Sequence, residues 1–308
     1  MLVDALTERT FSVILPYYNR ADTLIQAANS VLDQSHSDLR LYLIDDGSTD
    51  DSAAALKRLD DRRVVRVRLD HNQGVAAARN VGLEQAPTRL VSFMDSDDVW
   101  LPRKLEAQLR FLRDIQATDQ AVSVAGCGWQ IDGAENPAKE FSSGPYSRND
   151  VHDRVAGLRT PMLLVDRFVA ERNARFDESL PALLDRDYVM ACLSNGTKVV
   201  VVPEMLALVR RGRKDHVASS RSAARAFEML MEKYAADLAE NRDLRAWYSY
   251  RAAREYAAHR DVARALRHVP SALSRQPARR GAELALGLAG GPRGLAAARR
   301  LMPHAPTR

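Results

Sequence analysis

The sequence predicts an α/β protein, a mixed sheet that is mostly parallel at its start and flanked by helices, with an α-helical C-terminal extension. Three observations predict it. Short apolar runs alternate with helix-period segments through the first hundred residues. Each of four such segments ends in a cluster of polar residues. Beyond about residue 217, Ala, Arg, Leu and Glu dominate and strand signals disappear.

The elements follow in order. Phe11 to Leu15 is a short apolar strand closed by Pro16, with Tyr17, Tyr18, Asn19 and Arg20 after it. Leu24, Ala27, Ala28, Val31 and Leu32 recur at helical spacing, and Asp22 is placed to cap them. Leu39 to Ile44 reads as a second strand, ending on Asp45-Asp46-Gly47-Ser48-Thr49-Asp50. A helix over about Asp51 to Leu59 leads to a third strand, Val64 to Leu69. Gly74 then opens a helix of small residues that reaches about Gln85. Leu90, Val91, Phe93 and Met94 form the fourth strand, which stops on Asp95, Ser96, Asp97 and Asp98.

Composition bounds the rest. Of 308 residues, 46% are hydrophobic and 28% charged, the balance of a globular protein with ample core. The chain divides by composition into residues 1–216 and 217–308. The C-terminal stretch holds about nine more basic than acidic side chains, while the N-terminal one is slightly acidic. Two cysteines make no disulfide framework and point to a reduced compartment. The N-terminus lacks a basic region followed by an apolar one, and no run of about 18–20 apolar residues occurs. The expected location is therefore cytoplasmic, with peripheral contact at the inner face of a membrane left open.

In parallel sheets ligands sit beyond the carboxyl ends of the strands, where these polar clusters collect. Three carboxylates in four residues at a strand end repel one another and persist where a positive group sits against them. Asp95 and Asp97, two apart in an extended segment, point the same way. Their hard oxygens suit Mg²⁺ or Mn²⁺, metals that bind through one or two carboxylates plus substrate phosphates. The structural alternative is that Asp98 caps a helix beginning at Val99. Asp46 can accept hydrogen bonds from a base or ribose, and Arg79 can reach a diphosphate. Alternatively, Asp45 and Asp46 make a turn with Gly47, and Arg79 is a solvated helix residue. No GxGxxG and no GxxxxGK[ST] is present, which argues against dinucleotide-binding and P-loop sites.

The runs VILPYYNR, SVLDQS, LYLIDDGSTDDS, NQGVAAARNVGLEQA and FMDSDDVWLPRKLEAQL, in this order and spacing, strongly resemble family 2 glycosyltransferases of the GT-A fold. The resemblance is dense over about 11–110 and looser to about 220. It implies an inverting, metal-dependent transfer of a sugar from a nucleoside-diphosphate sugar to a hydroxyl of a glycan or lipid-linked acceptor. It assigns Pro16, Tyr18 and Asp46 to the base and ribose pocket, beside Asn19 and Arg20. Asp95 and Asp97 correspond to its DxD motif, with Asp97 the most direct metal ligand.

Farther along, Ala121 to Trp129 reads as a strand and 132–150 as a loop or β excursion. FDESL followed by LLDRDYVMACL resembles the place where the family carries a catalytic base, an Asp before an aromatic, which assigns Asp187 ahead of Tyr188. The sequence departs from the pattern with Arg186 where Glu is frequent and with no Arg a turn later, so Asp185 is the reserve base. Val199 to Pro203 is a last strand, and the segment after it resembles the family's closing stretch, with His216 over the donor phosphates or metal. Arg210, Arg211, Arg213 and Lys214 form a charge run there, and Trp100 either stacks on a sugar or packs beside the acidic strand. Toward the C-terminus a pair of helices joins near His259 to Asp261, packed on the transferase domain or resting basic faces on anionic lipid.

Rival classes stay open at this level. A nucleotidyltransferase also gathers carboxylates and Mg²⁺ at a parallel sheet edge, but needs a glycine- and lysine-rich loop that PYYNRADT lacks. A basic helical module with an inactive α/β domain would bind membrane or nucleic acid. No aromatic-basic interleaving points to nucleic acid.

Overall fold

A computed structural model describes residues 10–118, 120–133, 142–151, 157–170, 173–193, 196–210, 220–274 and 277–301. The chain divides into two compact units, Met1–Glu178 with Leu184–Gly212, and Ser179–Leu183 with Arg213–Arg308.

The first unit begins with β1 (Phe11–Tyr17), α1 (Leu24–Leu32), β2 (Leu39–Asp45), α2 (Ser52–Leu56), β3 (Val64–Arg68), α3 (Val75–Gln85) and β4 (Leu90–Phe93). It continues with β5 (Val99–Trp100), α4 (Lys104–Gln116), β6 (Val122–Ile131), α5 (Arg148–Val151), a 3-10 turn at Thr160–Met162, β7 (Leu164–Asp166), α6 (Leu184–Cys192) and β8 (Lys198–Val209). All eight strands join one sheet in the order β3-β2-β1-β4-β7-β6-β8-β5. β1 to β4 run parallel, so the ends of β1, β2 and β4 come together on one edge. β7 reverses direction against β4 and β6, β6 and β8 run parallel, and β5 is antiparallel to β8. The sheet is thus mixed, as the sequence predicts.

Burial explains the strand pattern. β1 is buried at every position and β2 nearly so, which is why these strands read as continuous apolar runs rather than alternating ones. α1 buries Leu24, Ala27, Ala28, Val31 and Leu32, the predicted stripe. Its cap differs from expectation: Thr23 is the N-cap, without a side-chain cap bond of its own. α3 lies close on the sheet because its buried face is Ala76, Ala77, Ala78 and Gly82. A Cβ at Gly82 would stand 2.4 Å from Ile14 Cγ2.

The region after the acidic cluster departs most from the sequence reading. Val99–Trp100 pairs with Ala207 and Leu208 of β8 instead of opening a helix. α4 starts only at Lys104, after Arg103 as N-cap. Asp98 is therefore no helix cap; its Oδ1 accepts from the Arg210 N–H at 3.1 Å. The short strand wins because its backbone groups find partners on β8, whereas a helix begun there would have to take in Pro102. β8 is also longer than the predicted Val199 to Pro203 strand. In the 132–150 stretch, Tyr146 bridges Val199, and residues 134–141 lie outside the described ones.

The second unit consists of α7 (Ser220–Lys233), α8 (Ala235–Glu240), α9 (Arg242–Ala258), α10 (Val262–Ala272) and α11 (Pro277–Leu301), the last kinked at Gly291 before Pro292. α9 is its centre, touching each of the other four. It buries Leu244, Tyr248, Ala252, Ala253, Tyr256 and Ala257 around much of its circumference, as a core helix does. Asn241 caps α9 and Asp261 caps α10, each accepting from a backbone N–H three residues on. Glu228 of α7 accepts from the Tyr256 hydroxyl at 2.7 Å and lies 3.2 Å from His268 Nε2, tying α7, α9 and α10 together.

Because Gly82 is packed against a fully buried strand residue, Gly82→Val should overpack this interface. A loss of about 1–3 kcal/mol in urea unfolding is expected.

Candidate active site

The carboxyl ends of β1, β2 and β4 hold most of the predicted residues. Pro16 is buried within β1, and Tyr18, just beyond it, is 39% exposed. Asn19 adopts a left-handed conformation, φ 52°, and its Oδ1 accepts from Thr49 N at 2.8 Å and Asp50 N at 3.2 Å. The Arg20 N–H donates to Ser52 Oγ. Asn19 and Arg20 thereby fasten the end of β1 to the loop after β2.

The two aspartates at the end of β2 divide their work. Asp45 accepts from Ser48 N at 2.7 Å and Arg68 Nη1 at 2.6 Å. Burial and this carboxylate push the Tyr17 phenol well up. Asp46, 3% exposed, accepts from Gln73 N at 2.7 Å and Gly74 N at 2.9 Å. It therefore sets the loop leading into α3. Gly47, at φ +72°, completes that joint, since a Cβ there would stand 2.7 Å from the His71 backbone.

Arg79 of α3 is buried rather than solvated, and its Nη2 donates to Asp95 Oδ1 at 2.6 Å. Here is the positive group that an acidic strand end demands. The Asp95 side chain remains 33% exposed, Asp97 is partly exposed, and Asp98 is buried. Burial, with the charges of Asp95 and Asp97, pushes the Asp98 carboxyl up to about 8. Burial is the larger cause, and the neighbouring charges of Asp95 and Asp97 make a field that favours a bound cation. Among the described residues no group of three or more His, Cys, Asp or Glu could hold a metal. Two neighbouring, partly exposed carboxylates nevertheless fit a hard divalent ion that completes its coordination with substrate phosphates and water. His216 lies outside the described residues, as do Arg211, Arg213 and Lys214.

An aromatic cluster, not foreseen from sequence, links the acidic strand to α6. Tyr188 stacks on Phe176 with ring centroids 4.1 Å apart, and both meet Phe93 edge-on at 5.3 Å. Phe93 stands two residues before Asp95, and Tyr188 directly follows Asp187. The Arg79 guanidinium lies 5.1 Å from the Phe176 centroid. Asn80 holds Phe176 by its backbone, donating to its carbonyl and accepting from its N–H, both at 2.9 Å. Asp187 is fully buried in the first turn of α6, while Asp185 is partly exposed and accepts from Arg186 N. A polar Asn80 beside Arg79 in a run of small residues was the available sequence signal. The distant pairing with Phe176 was not available.

A second buried group supports the acidic loop from below. Lys104 is fully buried, with Nζ 2.7 Å from Gln108 Oε1 and 3.9 Å from the Trp100 ring centroid. Trp100 is 2% exposed and donates from Nε1 to the Pro161 carbonyl, so it packs instead of facing a sugar. Gln108 donates to the carbonyls of Ala125 and Met162. Burial pushes the Lys104 ammonium down to about 8.

A parallel half-sheet with polar loops at its carboxyl edge, extended by reversed strands, defines the class of the nucleotide-sugar transferase fold. Residues 12–163 match the model of glycosyl transferase family 2. A teichuronic acid biosynthesis glycosyltransferase of Bacillus subtilis, named as putative, is 45% identical over 105 residues, 33% of this chain and 42% of that protein. An Escherichia coli UDP-Glc:alpha-D-GlcNAc-diphosphoundecaprenol beta-1,3-glucosyltransferase is 34% identical over 101 residues, 33% of this chain and 40% of that protein. The chain thus spans less than half the length of these relatives. The crystal structure of S. aureus TarS 1-349 with UDP-GlcNAc superposes with a TM-score of 0.68 at 17% identity, over 94% of this chain and 90% of that one.

Lys104 gives a pH test with a definite sign. Above pH 8 the folded protein has released this proton, whereas the unfolded chain keeps it to about 10.5. The unfolded state then binds more protons, so stability rises with pH across that window. Wild type should gain up to about 3 kcal/mol relative to Lys104→Met between pH 8 and 10.5, read from paired urea titrations.

Proposed function

We propose that this protein is an inverting glycosyltransferase that moves a sugar from a nucleoside-diphosphate sugar to a hydroxyl of a glycan or lipid-linked acceptor in polysaccharide or glycolipid synthesis. One observation carries the reading: a partly exposed carboxylate pair at the β4 end, inside the stretch that matches the family 2 model, is joined by Arg79 and the Phe93–Phe176–Tyr188 cluster to the aspartate-bearing turn of α6 beyond it. The Escherichia coli relative's name, with a uridine donor and a diphospholipid acceptor, supports the substrate classes.

In this reading Tyr18 offers its exposed ring to the nucleoside, beside Pro16, and Asn19 and Arg20 keep that loop in shape. Asp46 faces the base or ribose with the acceptor capacity left over from its two backbone bonds. Asp97, with Asp95, holds Mg²⁺ or Mn²⁺. When bound, that ion supplies Lewis-acid neutralisation of the donor diphosphate. Arg79 fixes the orientation of Asp95 and keeps a positive charge beside the phosphates. Asp187 takes the proton from the acceptor hydroxyl as its oxygen attacks the anomeric carbon, and the nucleoside diphosphate departs from the opposite face. Tyr188, locked in the aromatic cluster, sets where that carboxylate stands. Asp185 is the alternative base.

Calorimetry with UDP, GDP and dTDP, each with Mn²⁺ and with EDTA, tests the donor half. One nucleotide should bind with metal, and both EDTA and Asp97→Ala should weaken it at least about tenfold. Failure of all three to bind folded protein would sink the reading. Asp187→Asn should lower turnover by about 10²–10⁴ with nucleotide affinity unchanged, while Asp185→Asn stays active. The reverse pattern moves the base to Asp185.

A further inference from the structure

The helical unit carries apolar surface that its own core does not use. One face of α10 is packed: Ala265 lies with Ala224 and Tyr256, and Val269 against Ala253, Ala257 and Leu284. The neighbouring face is open: Val262 is 47% and Leu266 54% exposed, one turn apart, with Ala263 and Pro270 exposed beside them. Two of the four exposed large hydrophobics among the described residues therefore sit on one eleven-residue helix.

Charge says what covers this face. Arg260 and Arg267 are exposed, and Arg267 borders the apolar strip directly. Arg264, two residues from both Val262 and Leu266, turns to the other side of the helix, 5.7 Å from the Tyr256 ring centroid. The one acidic residue of α10 and its cap, Asp261, is engaged in capping and lies 3.7 Å from Arg264. Residues 260–308 hold ten arginines against Asp261 and Glu283. A second copy of the same arginine-bordered strip would bring like charges together across a two-fold contact, which disfavours self-association. An apolar strip beside long cationic side chains fits the boundary between acyl chains and anionic headgroups. Leucine and valine enter the apolar layer there, and arginine stems reach back to phosphate. No described helix is long and apolar enough to cross a membrane.

We infer that the open face of α10, Val262 and Leu266 with Arg267 beside them, docks this protein on an anionic lipid surface. The contact is peripheral and needs both kinds of side chain. The arginines bring the helix to the surface over about a Debye length, and the apolar side chains hold it there. This docking belongs to the helical unit alone and stands whether or not the chemistry proposed above is right.

Flotation of the full chain with vesicles of phosphatidylglycerol and phosphatidylcholine, against phosphatidylcholine alone, tests it without any substrate. Wild type should float with the anionic vesicles and not with the neutral ones. Leu266→Glu should weaken that binding by about tenfold or more. Arg267→Gln should weaken it and reduce its salt dependence. Circular dichroism and unchanged urea unfolding would show that the variants fold. Absence of binding to anionic vesicles at low salt overturns the inference. So does binding that Leu266→Glu leaves intact, which would mean adsorption by basic segments elsewhere. A concentration-dependent dimer that Leu266→Glu dissociates, without vesicle binding, would instead assign the face to a second copy.

Discussion

The candidate site depends on one half-buried ion pair, Arg79 with Asp95. β4 ends in a run of carboxylates, and a sheet edge could not hold that charge without a counter-ion from the protein itself. α3 provides it, because a helix of alanines and glycine can lie close enough to the sheet for an arginine to reach the strand end. Close approach of α3 and stability of the acidic edge are thus one requirement. The same guanidinium also lies against Phe176, so the electrostatic and aromatic contacts converge on one side chain.

Around that pair, most polar groups of the site are already committed. Asp45 is bonded to Ser48 and Arg68, Asp46 to the loop before α3, and Asn19 to the loop after β2. These bonds join strand ends that are far apart in sequence. Each loop is held by the side chain of another, so this end of the site is shaped before any ligand arrives. This is how irregular loops acquire the precision usually found in helices and strands.

Much of this was legible in the sequence, for a physical reason. Fully buried parallel strands leave continuous apolar runs, and the need to place polar groups at their ends leaves ordered motifs; hence β1 to β4 and α1 to α3 were readable nearly to their ends. The exceptions are instructive. β5 has two residues, too short for periodicity to register, and exists because β8 offers it partners from far along the chain. The aromatic cluster is likewise long-range: nothing local in Phe93, Phe176 or Tyr188 announces that they meet. By residue type alone Lys104 belongs at the surface, because lysine is rarely buried. Only the packing of Gln108 and Ser92 around Lys104 reveals otherwise.

The pairing of β5 with β8 carries a further consequence. It pins the acidic loop at its far end, as β4 pins it at the near end, and the Arg210 amide on Asp98 closes the circuit. A short loop tethered at both ends has little conformational freedom left to lose. Ligand affinity then need not be spent on ordering the carboxylates, and more of it is free for discrimination among ligands. In a protein built this way, substitutions that change substrate preference can accumulate on the rim of the pocket while the charged centre stays fixed.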